Sequence, residues 1–554
     1  MRNIVGSLLS TILCSTLLLT ACTAKEEANP GTASDDKTPV VTPEGTFPVV
    51  KDKVNLKVLV RGNGSVVDFT TNEFTKWYED KTNVHVEWEV APEKGFQDKL
   101  NLMLASGDYP DVIMDMAVSP AQQMNYGKQG VFLPLNGYIE KYGIETKKIW
   151  EKMPFIKEAV TAPDGNIYDM PHINDCFHCT ISRKMWIYKP WLDKLGLQVP
   201  TTTEEFYQVL KAFKEKDPNG NGKQDEIPLV SANNASGKIQ IDGFLMSAFI
   251  VDDMSERMVL QNGKIDVVYN KPEWKEGLKY IHKLYEEKLI APETFTQDSN
   301  QLKKLGTNPD AVFVGAMPML SPAGLTSLEL ERWKDYVAVP PLKGPQGVRT
   351  TALFPYGGHK FGEFIVTKAA KYPEVAVRWA DAMYAYDISM RSLVGVQDRD
   401  WEVAKPGLIG IDGNPAKWKQ LTHLAFPQNV HWQQTGPSFR NSEMRLSQAR
   451  EDKALDSDQE VLLYKETKTK YEPYAQKLEN VVPPLFFSQE QSAEIADLSK
   501  TIGDYINQMT ARFIIGDMDI DKGWDNYIKT LENMNLKKYL QIYQDAYDSK
   551  HKKK

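Results

Sequence analysis

Residues 54–115 alternate between two hydrophobic periods, and this alternation restricts the folds open to the chain. Apolar residues recur at every second position in 56–60 and in 84–90, which predicts two half-buried strands. Helical apolar spacing fills 69–81 and 96–104. Strands separated by helices build a parallel sheet with right-handed crossovers. The segment is therefore predicted to form an open α/β sheet.

Three polar side chains stand where strands of this predicted sheet end. Arg61 and Asn63 close the first strand, and Asp115 closes a third strand that begins at Asp111. In open parallel sheets, ligands bind beyond the carboxyl ends of the strands. We therefore predict these three residues as ligand contacts, and a purely structural role for each stays open.

A second α/β region begins near Met185. Thr202 and Glu205 are spaced as a capping box at the start of a helix, and the apolar run 227–230 predicts a strand. Strand and helix patterns return from Phe361, and the last hundred residues are mostly helical in pattern. A chain of this length can hold two or three domains, so we predict an α/β fold with a helical C-terminal part.

The loop 217–226 reads Asp-Pro-Asn-Gly-Asn-Gly-Lys-Gln-Asp-Glu. Oxygen-bearing side chains stand at its positions one, three, five and nine, namely Asp217, Asn219, Asn221 and Asp225, and a glycine stands at position six. This is the ligand spacing of an EF-hand calcium loop.

The loop departs from that pattern at position twelve, where Pro228 replaces the usual glutamate. Glu226 would have to close the ligand shell, and the proline prevents the usual exit helix. We therefore predict a structural calcium clip rather than a calcium switch. The alternative is a solvated polar turn, because Asn and Gly are ordinary turn residues.

The N-terminus predicts export. Arg2 precedes an apolar stretch, and Leu19-Thr20-Ala21-Cys22 follows it. This arrangement is typical of a signal peptide over 1–21, and it resembles a bacterial lipobox with Cys22 as the lipidated first residue. An ordinary signal peptide or a membrane anchor is the alternative. Residues 22–52, rich in Thr, Pro and charged residues, are predicted to be a disordered tether.

Composition excludes one class of partner and leaves the cysteines ambiguous. The net charge is −8, and the basic run 551–554 stands alone, so nucleic acid is not an expected partner. After Cys14 and Cys22, the pair Cys176 and Cys179 remains. A disulfide or two inert thiols are favoured over a metal or redox site, and the two favoured options stay open.

Several segments together resemble the extracellular solute-binding lipoproteins of carbohydrate-uptake ABC transporters. The resemblance is to the subgroup that includes alginate-oligosaccharide-binding proteins and LplA-type lipoproteins. Its segments lie in order along almost the whole mature chain: the lipobox at Cys22, then 102–111, 184–187, 191–197, 200–202, 225–228, 513–516 and 524–527.

The resemblance implies a type II periplasmic-binding-protein-like fold. Two α/β lobes, joined by hinge crossings, would close over a ligand in the cleft between them. We place the N-lobe at 53–175 plus about 360–425 and the C-lobe at 176–359 plus about 426–548. The calcium loop of the alginate-binding relatives maps onto Asp217, Asn219, Asn221, the carbonyl of Lys223, Asp225 and Glu226.

The resemblance also suggests aromatic sugar contacts. A sugar ring needs flat aromatic faces and hydrogen-bonding side chains. Trp401 follows a Gly-rich turn as in the relatives, although the second glycine of the family pattern is missing here. Trp432 lies in a polar run and Tyr356 in a Gly-rich loop. All three are predicted ligand contacts, with core packing as the alternative.

The resulting hypothesis is a binding protein rather than an enzyme. The chain would capture an oligosaccharide outside the cell, act as a monomer held to the membrane by lipid, and deliver the sugar to permease subunits. A polysaccharide-degrading enzyme is the first alternative, but the sequence shows no nucleophile elbow or metalloprotease helix. An adhesive surface protein is the second, but the sequence shows no repeats.

Overall fold

A computed structural model describes residues 39–232, 240–309, 311–327, 330–422, 424, 426–450 and 457–551. The predicted signal peptide and the lipidation site at Cys22 lie outside the described residues. Over that part of the chain the protein is a mixed α/β structure whose C-terminal quarter is helical. The predicted fold class is therefore confirmed.

The strands are short except for the first two. They are β1 (Val54–Arg61), β2 (Val84–Ala91), β3 (Val112–Met114), β4 (His172–Asn174), β5 (Met185–Tyr188), β6 (Ile227–Leu229), β7 (Met258–Gln261), β8 (Lys264–Val267), β9 (Val314–Pro318), β10 (Tyr336–Val339), β11 (Phe364–Val366), β12 (Trp401–Val403), β13 (Trp418–Gln420) and β14 (Ser438–Arg440).

The helices range from one turn to seven. They are α1 (Glu73–Thr82), α2 (Phe96–Ser106), α3 (Pro120–Lys128), α4 (Asn136–Tyr142), α5 (Ile144–Lys152), α6 (Pro154–Val160), α7 (Lys189–Leu195), α8 (Thr203–Glu215), α9 (Gln240–Leu245), α10 (Pro272–Glu286), α11 (Ser299–Gly306), α12 (Pro373–Ala382), α13 (Tyr386–Leu393), α14 (Ser442–Leu446), α15 (Ser457–Glu466), α16 (Gln489–Ile515), α17 (Ile520–Asn533) and α18 (Leu536–His551).

The first sheet has the strand order β11-β3-β1-β2. Strands β1, β2 and β3 run parallel, with Val54 paired to Val84 and Val58 to Val112. Strand β11 joins β3 antiparallel. The helix between β1 and β2 begins where Asn72 accepts the amide of Phe74, and it ends where Asn83 adopts a left-handed conformation. The strand and helix alternation read from residues 54–115 thus forms a parallel sheet.

The second sheet has the order β10-β5-β9-β6 and mixes parallel and antiparallel pairs. Thr202 caps α8 by accepting the amide of Glu205, so the predicted helix start is present. Phe206, Leu210 and Phe213 of this helix are fully buried. The loop 217–226 connects α8 to β6 and therefore lies at the edge of this sheet.

Each sheet has its own hydrophobic core. The first core draws on residues between Val49 and Ile173, on residues between Phe364 and Ile388, and on Trp432. The second draws on residues from Ile181 to Leu342 and from Leu463 to Ala546. The two sheets are thus built on separate apolar cores within one compact unit, residues 39–554.

Three passages of the chain run side by side, namely β4, β14 and the residues around Lys360. β4 pairs in parallel with β14, and the backbone of His172 exchanges hydrogen bonds with that of Lys360. A disulfide between Cys176 and Cys179 follows the first passage. The bonded sulfurs have no thiolate to offer a metal, so the structure supports the disulfide among the options that the sequence left open.

Residues 39–52 correct part of the predicted tether. Val49 and Val50 are fully buried in the first core, and the amides of both donate to the carbonyl of Thr82. Val41 also bridges to Val50. This part of the segment is packed and hydrogen-bonded, because its two valines extend the apolar edge of the first sheet.

Helix length also bears on membrane insertion. In the described residues, no helix combines the length and the apolar character that crossing a bilayer requires. The longest helix, α16, spans 27 residues, and it buries only one face, through Ile502, Ile506 and Met509.

Candidate ligand-binding site

The structure brings Arg61, Asn63 and Asp115 together in one pocket of about 350 Å³ at the end of the first sheet. The three residues come from two neighbouring parallel strands, β1 and β3, whose carboxyl ends meet at the same edge. The pocket is completed by the neighbouring Gly62 and Ser65 and by residues from more distant parts of the chain: Glu93, Lys360, Gln433 and Gln434. We refer to it as the strand-end pocket.

Asp115 is the central group of the strand-end pocket. Its carboxylate accepts Nη2 of Arg61 at 3.2 Å and lies 3.5 Å from Nζ of Lys360. The residue is buried and holds a left-handed backbone conformation with φ 55°. Such a conformation costs free energy for a non-glycine residue. The fold therefore holds a strained backbone at Asp115, and this conformation directs the carboxylate into the pocket.

Lys360 connects the pocket to the passages between the two sheets. Its Nζ donates to the carbonyl of Gln434 at 2.9 Å, and its backbone pairs with that of His172. Asn63 is held by a residue distant in sequence, because its Nδ2 donates to Oγ1 of Thr435 at 3.2 Å. Asp115 thus contacts one of the three passages directly, at Lys360.

A second buried acid, Glu363, lies next to Asp115. Glu363 is buried, and its carbonyl accepts the amide of Asp115 at 2.8 Å. Burial raises the pKa of Glu363 well above its usual range, and the neighbouring negative charge of Asp115 raises it further. The Glu363 carboxyl is therefore protonated near neutral pH and lies beside Asp115.

Asp169 secures the same segment from the other side. Its carboxylate accepts the backbone amides of Gly362, Glu363 and Phe364. Burial raises the pKa of Asp169 to about 6, although these three hydrogen bonds oppose the shift. The segment 362–364 is therefore fixed where it enters β11.

Trp432 corrects one of the sequence predictions. It is 1% exposed, and its ring meets those of Phe74, Trp88 and Trp379 edge-on or tilted. Its Nε1 donates to Oγ1 of Thr75 at 2.8 Å. No ring face is left for a ligand, so Trp432 packs the first core despite its polar neighbours in sequence.

Tyr356 and Trp401 do not join the strand-end pocket. Tyr356 is half-buried and packs edge-on against Phe155, with the ring centres 5.7 Å apart. Trp401 is 8% exposed, and its Nε1 donates to the carbonyl of Gly395 at 3.2 Å. Trp401 instead helps to line a second cavity of about 910 Å³. We call it the hinge-side cavity, because its wall includes Phe439 of β14, one of the three side-by-side passages.

Sequence reasoning missed Lys360, Glu363, Gln433 and Gln434. They lie about 250 to 320 residues after Asp115, and none of them ends a strand of the predicted parallel set. A weak signal was present in the charged pair Lys360 and Glu363, which flank Phe361 and Gly362 immediately before the apolar strand β11. Charged residues that directly precede a buried strand are candidates for a pocket at its edge.

The loop 217–226 folds around the carboxylate of Asp217. That carboxylate accepts the amides of Gly220, Asn221 and Gly222 at 2.9 to 3.2 Å. The amide nitrogens of Asn219 and Asn221 both donate to Asp225. The side chains of Asn219 and Asn221 therefore converge on Asp225 through their amide nitrogens, and rotating the two amides would turn their oxygens towards Asp225 instead.

Glu226 supplies the orphaned polar atom of this loop. Its Oε2 is buried and has no hydrogen-bond partner among the described residues. Burial raises the pKa of Glu226, and the charges of Asp217 and Asp225 raise it further. The three carboxylates and two amide groups of this loop supply the hard oxygen donors that Ca²⁺ prefers, so the residue types fit the ion.

The fold and the pocket together define a class of protein. The structure has two α/β sheets on separate cores and a polar pocket at the edge of the first sheet. This architecture agrees with the fold of a type II solute-binding protein. The model of the bacterial extracellular solute-binding protein family matches residues 63–387. The chain belongs to this family, whose members bind solutes and are not enzymes, as the sequence resemblance implied.

A curated relative is similar over nearly the whole chain. It is the fructooligosaccharide ABC transporter substrate-binding protein FusA of Streptococcus pneumoniae, 32% identical over 96% of this chain and 97% of its own. The lipoprotein LipO of Bacillus subtilis is 26% identical over 72% of this chain and 74% of its own.

Solved structures agree with the fold. FusA in complex with kestose has a TM-score of 0.69 at 30% identity, covering 89% of this chain and 99% of that chain. A FusA EF-hand mutant with fructo-nystose gives a TM-score of 0.68, with the same identity and coverage. A solute-binding protein from Bifidobacterium longum subsp. infantis gives 0.75 at 22% identity, covering 90% of this chain and 99% of that chain.

The protonated state of Glu363 predicts a pH-dependent stability. Above about pH 4.3 the unfolded chain releases this proton, but the folded protein keeps it. Stability therefore falls with rising pH, by up to about 1.4 kcal/mol per pH unit, until the folded pKa is passed. Glu363→Gln removes this loss, so its free energy of unfolding relative to wild type should rise from pH 5 to pH 9.

Urea unfolding across that pH range measures the effect. Glu140→Gln, at an exposed position of α4, is the control for the substitution itself. A difference between Glu363→Gln and wild type that stays constant with pH would contradict the buried proton.

Proposed function

We propose that the chain is the receptor of an ABC importer and captures a neutral oligosaccharide of the fructooligosaccharide class. The observation that carries the proposal is the strand-end pocket, where one buried carboxylate is shared by two cations. Vicinal sugar hydroxyls can donate to Asp115 and accept from Arg61 and Lys360, and such charge-assisted hydrogen bonds are strong. Similarity to FusA over nearly the full length supports this ligand class.

The charges of the pocket favour a neutral sugar. Arg61 and Lys360 both face Asp115, and Glu93 adds a second carboxylate to the wall. Two positive and two negative side chains leave no excess charge to pair with a uronate. Hydroxyl groups, which donate and accept, suit such a mixed set best.

Capture is proposed to proceed by closure of two lobes. We place the N-lobe at 53–175 plus about 360–425 and the C-lobe at 176–359 plus about 441–548. The segment 426–440 was first assigned to the C-lobe, but the burial of Trp432 in the first core supports the N-lobe. The three side-by-side passages would act as the hinge, with Lys360 linking them to the bound sugar.

The closed complex would then present the intact sugar to permease subunits on the outer face of the cell membrane. We propose that the receptor works as a monomer, since both lobes that enclose the ligand come from one chain.

Binding can be tested by thermal unfolding. Kestose at 100 times its dissociation constant should stabilise the protein by about 2.7 kcal/mol and raise its melting temperature without any hydrolysis product. Asp115→Asn removes the charged acceptor and should weaken binding roughly 10- to 100-fold.

The control is Asp80→Asn, at an exposed position of α1. Equal stabilisation of the Asp115 variant and the wild type would remove the strand-end pocket from the proposal. If no neutral oligosaccharide shifts the melting temperature, the ligand class is wrong.

We also propose that calcium occupies the loop 217–226. Its ligands would be the side chains of Asp217, Asn219, Asn221, Asp225 and Glu226 and the carbonyl of Lys223. The unpartnered Oε2 of Glu226 and the convergence on Asp225 support the proposal, as does the EF-hand of the solved FusA variant. The ion would fix the connection between α8 and β6 in the second sheet.

A chelator is therefore expected to lower the melting temperature of the wild type. Asp217→Ala should lower it equally and should make the protein insensitive to chelator, because the ligand at the first loop position is gone. Asp412→Ala changes another polar turn and serves as the control. A wild-type melting temperature that ignores strong chelation would exclude the ion.

Membrane attachment is proposed through a lipid on Cys22. The short apolar segment before it and the small residues at the cut site support this. Cys22→Ser should move the protein from the membrane fraction to the culture medium, because lipid chains provide the membrane affinity. Cys14→Ser, inside the signal, is the control and should leave the protein on the membrane. Retention of the Cys22 variant would refute the anchor.

A further inference from the structure

The hinge-side cavity is larger than the strand-end pocket and is separate from it. Every lining residue lies between 77 and 152 or between 384 and 443. Val430, which accepts Nη1 of Arg391 in the cavity wall, stands three and four residues before Gln433 and Gln434 of the strand-end pocket. Between them Trp432 is buried in the aromatic core. The two cavities share no lining residue.

The walls of the hinge-side cavity belong to the first core and its neighbouring segments. Helices α1, α5 and α13 contribute, together with the loop before β12 and the residues from Phe439 of β14 to Glu443. Because the second sheet supplies none of these residues, movement of that sheet does not form or close the cavity. The site is preformed, at a volume typical of small-molecule sites.

The floor and mouth of the cavity are apolar and aromatic. Ile149, Tyr384 and Trp401 are buried in the floor. At the mouth, Tyr386 is 44% exposed and Val403 is 61% exposed. Large apolar side chains left open around a concave surface mark a binding site more often than chance exposure does.

The rim is polar and carries ion pairs. Lys148 pairs with Glu145 at 2.6 Å, and Lys417 pairs with Glu443. In all, four cationic and three acidic side chains line the cavity, and Glu73 lies 3.7 Å from Arg391 but closer, at 2.9 Å, to Arg399. The members of each pair can donate to and accept from sugar hydroxyls.

We infer that the hinge-side cavity is a second saccharide-binding site, which takes a sugar on aromatic and aliphatic walls inside a rim of ion pairs. A sugar ring offers one apolar face and a fringe of hydroxyls. The aromatic and aliphatic walls can pack against the apolar face, and the charged rim can hydrogen-bond the hydroxyls. The choice of a saccharide rests on the proposed function. The second site itself goes beyond that function, since it would hold sugar without lobe closure and keep it close to the receptor.

Equilibrium dialysis with labelled kestose tests the inference on the full mature chain. Wild type should bind two molecules per chain. Tyr386→Ala and Val403→Asp should each reduce this to one, and Asp115→Asn should lose the other site. Val403→Asp places a charge at an exposed position, so it tests the wall without disturbing the fold.

The matched control is Ile409→Asp, because Ile409 is 43% exposed and lies outside the cavity. It should retain two sites. One site in wild type that Val403→Asp leaves intact would overturn the inference and leave the proposed function standing.

A single site that Val403→Asp abolishes and Asp115→Asn spares would overturn the two-site arrangement and move capture into the hinge-side cavity. Absence of any saccharide binding would instead refute the proposed function. The failures of the two proposals are therefore distinguishable.

Discussion

The shared ionic contact of Asp115 with Arg61 and Lys360 is the interaction on which the arrangement of this protein depends. Arg61 and Asp115 end two strands of one sheet, whereas Lys360 lies in a passage between the two sheets and pairs by its backbone with His172. A ligand that competes for Asp115 would therefore also act on its contact with Lys360. Under the proposed closure, this shared carboxylate would link binding to the movement of the lobes.

This arrangement stores a cost in the folded protein. Glu363 keeps a proton beside Asp115. Asp115 itself holds a left-handed backbone conformation. Asp169 is buried, where it orients three backbone amides. Each of these is less favourable than an apolar alternative. Such costs are typical of sites that must hold polar groups ready for a ligand before it arrives. The two hydrophobic cores supply the stability that tolerates them.

The sequence predicted the features that depend on near neighbours in the chain. The period-two and helical patterns of residues 54–115 predicted the parallel sheet, and the sheet predicted that Arg61, Asn63 and Asp115 would meet. The loop 217–226 showed its ligand spacing directly. It failed where context decides: Trp432 sits among polar residues yet fills the core, and Val49 and Val50 sit in a Pro-rich and Thr-rich segment yet extend it.

What the sequence determined by itself was the class of fold, the family and the local geometry of a ten-residue loop, because hydrophobic period and ligand spacing act over a few residues. Only the tertiary structure decided which distant residues complete the pocket. Glu363 reaches Asp115 through the pairing of β11 with β3, and Lys360, which bridges to His172, brings Gln434 into the same pocket. Pairings across hundreds of residues leave no periodic trace, since they are set by the packing of whole units against one another.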